Sequence, residues 1–180
     1  MSSHRPIDSF STLRLTAEKL CEDHLDDLVR LHLDPAVSRY LGGVRSPETT
    51  KAYLAANIAH WDQHGFGLWI LRTRDGAFAG RAGIRHILVG DTSEVEVAYT
   101  FEQTFWGRGL ASEITEALVD LGFGPLGLPS LVGVVAAEHG ASRHVLEKSR
   151  FAFERWLEFQ GEPCALYRRP RPGLSAPGAA

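Results

Sequence analysis

The segment from Phe105 to Ser112 (FWGRGLAS) contains the residue types of an anion-binding turn. Its glycines let backbone N–H groups approach a ligand closely, and a helix starting directly after them adds unpaired donors and a positive dipole end. Arg108 could add a charged donor, and the small Ala111 leaves the approach open. A tight strand-to-helix connection would have the same residues, so the turn alone leaves both interpretations open.

Two nucleotide-binding motifs do not fit this turn. A dinucleotide site needs three spaced glycines after an early strand, with an acidic residue about 20 positions further on. Here Gly107 and Gly109 lack a third glycine and lie more than halfway along the chain. A P-loop needs Gly-Lys followed by Ser or Thr, which the sequence does not contain.

Two carboxylates before the turn are candidates for a general base. Glu94 and Glu96 belong to a strictly alternating stretch, residues 94–99, so they project from the same face of a predicted strand. Either could accept a proton from a substrate, directly or through water, and their mutual repulsion could raise the pKa of one. The alternative is that Glu94 and Glu96 lie on a solvent-facing side of the strand.

The candidates for a proton donor are scattered. As a bare sequence feature, Ser142 is favoured as the N-cap of a helix. Tyr99 and Tyr167 are alternative acids that also suit packing roles. His86 and His139 could face a cleft, although an isolated histidine is commonly structural. No Ser/His/Asp set has a spacing that indicates covalent catalysis.

The elements that must position these residues alternate between strand and helix. Ser46, Pro47 and Glu48 are typical of a helix start, and Gly65 of a helix end. The helical period resumes after Gly109. The predicted elements are a strand at residues 13–15, helices at 22–33, 46–64, 110–121 and 142–149, and short strands between and after them, including an apolar one at 131–137. Four aromatic residues could wall an acceptor pocket, although core packing is favoured for each: Trp61, Phe66, Trp69 and Trp156.

Length and composition restrict the function classes. The 180 residues suit one domain, at 1–169, and a disordered Pro/Gly/Ala tail at 170–180. A net charge of -3 argues against nucleic acid as the main partner. Cys21 and Cys164 are too isolated for a disulfide framework or a zinc site. Without a signal peptide or an apolar run of about 20 residues, we expect a cytoplasmic protein with no membrane partner.

Taken with segments elsewhere in the chain, the turn resembles the GNAT acetyltransferase superfamily, in particular its RimJ/RimL-type ribosomal-protein N-terminal acetyltransferases. The main likeness is residues 96–99 (EVAY) followed by 105–113 (FWGRGLASE). Further segments match in order: DPAV and YLGG within 34–43, HGFGLW at 64–69, GRAGI at 80–84, and ASRHVLEK at 141–148 followed by Phe151. The likeness spans roughly residues 10–168.

The resemblance implies an α+β fold with a mostly antiparallel sheet of about six to seven strands and about four helices. Its central strands would splay and hold CoA. The implied reaction is direct attack of a primary amine on acetyl-CoA in a ternary complex, with no metal. The acceptor could be a protein N-terminus, a lysine or a small amine, and the enzyme a monomer or homodimer. The implied catalytic residues are Glu96, Ser142 and Glu94. Ser142 matches the family serine that protonates the departing thiolate, a role compatible with an N-cap.

The resemblance also implies the residues around the cofactor. The strand backbone pairs with pantetheine, the turn amides hold the pyrophosphate, and an N–H near Ala98 or Tyr99 polarises the thioester carbonyl. These cofactor-binding residues are Tyr99, Thr100, Phe101, Trp106, Gly107, Arg108, Gly109, Leu110, Ala111, Ser112, His139 and Arg143.

Two positions depart from the family pattern. Trp106 stands where Gln or Arg is frequent, and His139 stands where the family usually has an asparagine that fixes the cofactor arm. His139 keeps open an alternative function, a non-catalytic acyl-CoA binding or sensing domain. A purely structural partner protein is a third interpretation.

Overall fold

The computed structural model describes residues 7–173, in which eight strands form one sheet. The strands are β1 (Ser9–Ser11), β2 (Leu15–Lys19), β3 (Leu68–Thr73), β4 (Phe78–Val89), β5 (Thr92–Phe101), β6 (Ser130–Ala136), β7 (Ala152–Phe159) and β8 (Glu162–Pro170). Their order across the sheet is β1-β2-β3-β4-β5-β6-β8-β7. All neighbours are antiparallel except β5 and β6, which run parallel.

Five α-helices cover the two faces of the sheet. They are α1 (Leu25–Leu33), α2 (Pro35–Ser38), α3 (Pro47–His64), α4 (Leu110–Phe123) and α5 (Gly140–Lys148). Leu28 of α1 and Leu54 of α3 pack with Ile70 of β3 on one face. Ile114 of α4 and Leu146 of α5 belong to the larger core on the other face. The central strands are therefore covered by helices on both sides.

Helix α3 has the boundaries that its sequence predicts. The Ser46 hydroxyl accepts a hydrogen bond from the Thr49 N–H at 3.2 Å, and Pro47 occupies the first helical position. Gly65 ends the helix at φ 74°, in the left-handed region that favours glycine. The predicted start and end are confirmed.

The β4–β5 hairpin sets which side chains meet on the face covered by α1 to α3. Its register places Arg85 opposite Glu96 and Arg81 opposite Thr100. Between them lies Gly83, where a Cβ would come within 2.2 Å of the Gly67 carbonyl oxygen. Only glycine fits that position, so the hairpin can pack closely against the start of β3.

Strands β5 and β6 pair at a single register position, Glu96 with Val132. Beyond it they separate, which leaves residues 97–101 of β5 without a neighbour on the β6 side. We call the opening between residues 97–101 and 133–136 the β5–β6 slot.

The predicted fold class, mixed α and β with one mostly antiparallel sheet, is confirmed. The described residues form eight strands and five helices, where the sequence predicted about six to seven and about four. The additional elements include β1, of three residues, and α2, of four, which are too short to show a period. The first strand predicted at residues 13–15 is wrong, since β2 begins at Leu15.

The end of the chain is described through residue 173. Pro170 closes β8, and the Arg171 N–H donates to the Pro129 carbonyl at 2.9 Å. The remainder of the predicted tail, residues 174–180, lies outside the described residues. Among the described helices, none has the length and apolar character needed to cross a bilayer.

Candidate active site

The glycine turn lies between the end of β5 and the start of α4. Gly107 and Gly109 both have positive φ, 70° and 75°, and Gly109 is the N-cap of α4. The amides of residues 107–112 donate to no acceptor within residues 7–173. The next amide in the chain, that of Glu113, donates to the Gly109 carbonyl. A run of free N–H groups at a helix start is suited to an anion such as a pyrophosphate.

Arg14 braces this turn from the start of β2. Its Nη1 donates to the Arg108 carbonyl at 2.7 Å, and its Nε donates to Glu113 Oε2 at 2.7 Å. The Thr12 hydroxyl donates to the other Glu113 oxygen at 2.6 Å. These hydrogen bonds hold the pKa of Glu113 below its usual range despite its partial burial. Sequence reasoning missed Arg14, because about 95 residues separate it from the turn and no local pattern marks it.

Trp106 and Arg108 are fixed by their neighbours. The Trp106 indole N–H donates to the Phe101 carbonyl at 2.9 Å, which ties the turn to the end of β5, while half of the side chain stays exposed. The Arg108 guanidinium lies 5.5 Å from the centre of the Phe105 ring. Both side chains therefore border the turn on the solvent side.

Glu96 lies where β5 and β6 begin to separate. It is 5% exposed, and its Oε1 accepts from Arg85 Nε at 2.6 Å. Burial opposes the charge of Arg85, but the Glu96 carboxylate raises the pKa of that guanidinium above its ordinary value. No hydrogen bond from the described residues reaches Oε2 of Glu96, so this oxygen is available to a substrate.

Glu94 is held differently. Both of its oxygens accept from Arg168 of β8, at 2.6 and 2.9 Å. Arg168 also donates to the hydroxyl of Ser130, the first residue of β6, at 3.3 Å. Glu94 thus lies on the same strand face as Glu96 but is bound in an ion pair away from the β5–β6 slot.

Tyr99 and Ser142 meet on the opposite face of β5. The two hydroxyl oxygens lie 2.9 Å apart, and the Tyr99 phenol is also 3.2 Å from the Ser142 carbonyl. Burial raises the pKa of Tyr99 to about 12, so the phenol keeps its proton at neutral pH. Since strand residues alternate in direction, Glu96 and Tyr99 face opposite sides of β5.

The interpretation of Ser142 as an N-cap is wrong. His139 is the N-cap of α5, and Ser142 is the third residue of that helix. Helix α5 begins two residues earlier than the pattern predicts because Gly140 and Ala141 carry almost no side chain and give no periodic signal. Ser142 instead faces Tyr99 and the slot.

His139 contacts Tyr40, which lies just after helix α2. Its ring stacks on Tyr40, with centres 4.1 Å apart and planes 20° apart. Burial, followed by the charge of Arg39, lowers the pKa of His139, so the ring is neutral at physiological pH. Arg143, one helical turn further, donates from Nε to the Tyr167 phenol at 3.0 Å and lies over Trp156.

A groove of about 580 Å³ opens on the face that carries Glu96 and Arg85. Helix α3, the β4–β5 hairpin and the β7–β8 turn form its walls, through Tyr53, Asn57, Arg85 and Glu158 among others. The volume suits a small molecule. It is a candidate site for a second substrate beside the slot.

The four aromatic residues proposed as pocket walls divide into two groups. Trp61, Phe66 and Trp69 are buried in the main core, which confirms the packing interpretation for them. That interpretation is wrong for Trp156, which is 56% exposed on strand β7 at the edge of the sheet. Its ring packs under Arg143 rather than inside the core.

His86 belongs to a histidine cluster beside the groove. His60 donates from Nδ1 to the Phe66 carbonyl at 2.9 Å and accepts at Nε2 from the His86 N–H at 2.9 Å. Burial, and then the charge of His64, lowers the pKa of His60 to about 4. Both ring nitrogens are used, so His60 is a structural histidine. No group of three or more potential metal ligands occurs within residues 7–173.

Comparison with known proteins gives consistent matches. The family described as "Acetyltransferase (GNAT) domain" matches residues 14–152. YkkB of Bacillus subtilis (strain 168) is 28% identical over 137 residues, or 76% of this chain and 80% of YkkB. The crystal structure of an acetyltransferase from Agrobacterium tumefaciens str. C58 matches with a TM-score of 0.78 and 25% identity, over 89% of this chain and 93% of that one.

A structure of Mycobacterium smegmatis RimJ in complex with CoA-disulfide shares the fold. It matches with a TM-score of 0.73 and 18% identity, over 91% of this chain and 87% of that one. The family match covers more than three quarters of the chain and includes the splayed strands, the glycine turn and α5. The chain therefore belongs to the GNAT acetyltransferase family and is an acyltransferase.

Proposed function

We propose that this enzyme transfers the acetyl group of acetyl-CoA to a primary amine by direct attack in a ternary complex. The observation that carries the proposal is the single pairing of Glu96 with Val132, which opens the β5–β6 slot beside a buried carboxylate. The RimJ/RimL-type motifs in the sequence favour the same reaction. They do not select between a protein N-terminus, a lysine and a small amine.

The cofactor site is supported by unpaired backbone groups. The free edge of Tyr99, Thr100 and Phe101 would pair with the pantetheine arm like an added strand. The amides of residues 107–112 would hold the pyrophosphate, within a turn that Arg14 keeps in shape. His139 and Arg143, which begin α5, border the far side of the slot.

The two proton transfers would take place on opposite sides of β5. Oε2 of Glu96 would take a proton from the attacking amine as the new C–N bond forms. A backbone N–H near Ala98 or Tyr99 would stabilise the negative charge that develops on the carbonyl oxygen. On the opposite side, the Tyr99–Ser142 pair would donate a proton to the thiolate as the C–S bond breaks. Glu94, whose oxygens are both bound by Arg168, would support the strand instead.

The first experiment is thermal unfolding with and without acetyl-CoA. A ligand at about 100 times its dissociation constant stabilises the folded state by about 2.7 kcal/mol. For a domain of this size, that raises Tm by several degrees. No shift at millimolar acetyl-CoA would exclude the cofactor assignment.

Release of free thiol then separates catalysis from simple binding. With acetyl-CoA bound, a panel of primary amines should increase thiol release, and Glu96→Gln should remove most of the increase. A clear Tm shift without amine-dependent thiol release for any member of the panel would favour the acyl-CoA binding alternative.

A further inference from the structure

Three arginines surround one tyrosine on the sheet face beneath α3. The guanidinium carbons of Arg45 and Arg81 lie 4.9 and 5.0 Å from the centre of the Tyr53 ring. Arg81, Gly83 and Arg85 are alternate residues of β4, so the two arginine side chains lie on the same face of the strand. Arg85 lines the groove together with Tyr53. We call Arg45, Arg81 and Arg85, with Tyr53, the arginine cluster.

The cluster contains more positive charge than the protein neutralises. Glu96 pairs with Arg85 at 2.6 Å. Within residues 7–173, no carboxylate lies in ion-pair distance of Arg45 or Arg81, so three guanidiniums face one carboxylate. The nearby His32 adds no charge, because burial, and then Arg81 and Arg45, lower its pKa to about 3.

Several donors of the cluster are also unused. Arg81 is 3% exposed, and its Nε donates to no protein acceptor. Arg45 Nη1 is buried without a protein partner as well. A buried charge without a partner is costly. Arginines arranged in this way have the chemistry of a carboxylate receptor, since the guanidinium fork matches carboxylate geometry.

The cluster lies where a second substrate would be held. Tyr53 and Arg85 form part of the groove wall, and the Glu96 carboxylate lies between the groove and the β5–β6 slot. Arg81 continues the same strand face opposite Thr100, alongside the slot. A ligand in the groove therefore contacts Tyr53 and Arg85 directly. Arg45 and Arg81 lie against the same Tyr53 ring, and Glu96 is paired with Arg85.

We propose that the arginine cluster binds a carboxylate group of the acceptor, so that the acceptor is a small amine that also carries a carboxylate. This inference rests on the proposed acetyl transfer to an amine and names its substrate class. The carboxylate pairs with Arg45 and Arg81, and the amine lies on the Glu96 side. A carboxylate on the acyl group, as in a dicarboxylic acyl-CoA, would pair with the arginine cluster in the same way.

The test measures binding before catalysis. Thermal unfolding is followed with each of the common L-amino acids and with its carboxamide, at one ionic strength set with sodium chloride. We expect at least one amino acid to raise Tm by several degrees and its amide to have no effect. Arg81→Gln should abolish this shift and retain the shift caused by acetyl-CoA, and the surface variant Arg30→Gln should retain both. Arg45→Gln replaces Arg81→Gln if the latter does not fold.

Each remaining outcome overturns the proposal. It fails if no amino acid raises Tm, if amides bind equally well, or if the preference for the acid survives in both arginine variants. It also fails if both arginine variants weaken the Tm shift caused by succinyl-CoA but not that caused by acetyl-CoA or amino acids, since the carboxylate is then on the acyl group. A separate result, in which acetyl-CoA does not raise the Tm of the wild-type protein, would contradict the proposed function itself.

Discussion

The hydroxyl oxygens of Tyr99 and Ser142 lie 2.9 Å apart, although the two residues are 43 positions apart in the chain. One belongs to β5 and the other to α5, and the slot lies beside their contact. Burial raises the pKa of Tyr99 to about 12, further above neutral pH than that of an ordinary phenol, and the hydroxyl keeps its proton. A permanent donor is therefore held on the side of β5 opposite Glu96.

Removing this donor should slow the reaction with little effect on cofactor binding. Positioned acids and bases typically contribute a factor of about 100 to 10,000, so we expect Tyr99→Phe or Ser142→Ala to lower kcat by about 100-fold. The measurement is amine-dependent thiol release, together with the Tm shift caused by acetyl-CoA. Unchanged kcat in both variants would mean that the thiolate leaves without help from this pair.

The two carboxylates of β5 should behave differently. Glu96→Gln removes the only proposed base with a free oxygen, and we expect kcat to fall by about 100-fold. Glu94→Gln is the matched control on the same strand face, and it should retain kcat within about threefold while lowering Tm, because Arg168 loses its bidentate partner. Equal losses of kcat in the two variants would contradict the assignment of the base.

Arg14 should affect cofactor affinity through the shape of the glycine turn. Arg14→Ala removes the hydrogen bonds to the Arg108 carbonyl and to Glu113, so we expect KM for acetyl-CoA to rise by about 10-fold at similar kcat. Arg155→Ala is the control, since Arg155 is a similarly exposed arginine in an ion pair on β7. A rise in KM for both variants, or for neither, would show that the brace has no specific role.

Stability should fall in mild acid because of two histidines, the buried His32 and the partly buried His60. Burial lowers the pKa of His32 to about 3 and that of His60 to about 4. Between about pH 6.5 and these values the unfolded chain binds protons that the folded chain does not, so the free energy of unfolding decreases as pH falls. Each histidine contributes a slope of at most about 1.4 kcal/mol per pH unit in this window.

Urea unfolding from pH 7.5 to 4.5 measures this slope. His60→Gln should reduce it by up to about 1.4 kcal/mol per pH unit, because the His60 contribution is lost. The exposed His144→Gln is the control and should leave the slope unchanged. An unaltered slope in His60→Gln would mean that His60 titrates alike in the folded and unfolded chains.

Local signals account for the features that the sequence predicts well. The Ser46 cap, the Gly65 end and the period after Gly109 depend on hydrogen bonds and periodicities within a few residues, so the boundaries of α3 and α4 follow from the residue order. Short elements are not predicted, because they contain too few residues for such a local signal. Strand β1 and helix α2 are too short to contain a period, and Gly140 and Ala141 hide the start of α5.

By itself, the sequence determined the fold class, the glycine turn between a strand and a helix, and the carboxylate pair that shares one strand face. Each of these depends on residue type and spacing along one stretch of chain. Only the tertiary structure decided that Glu94 is bound by Arg168 while Glu96 keeps an oxygen free, that Tyr99 meets Ser142, and that Arg14 braces the turn. It also brought Arg45 and Arg81 to the same tyrosine ring, because contacts between distant segments are set by sheet register and helix packing.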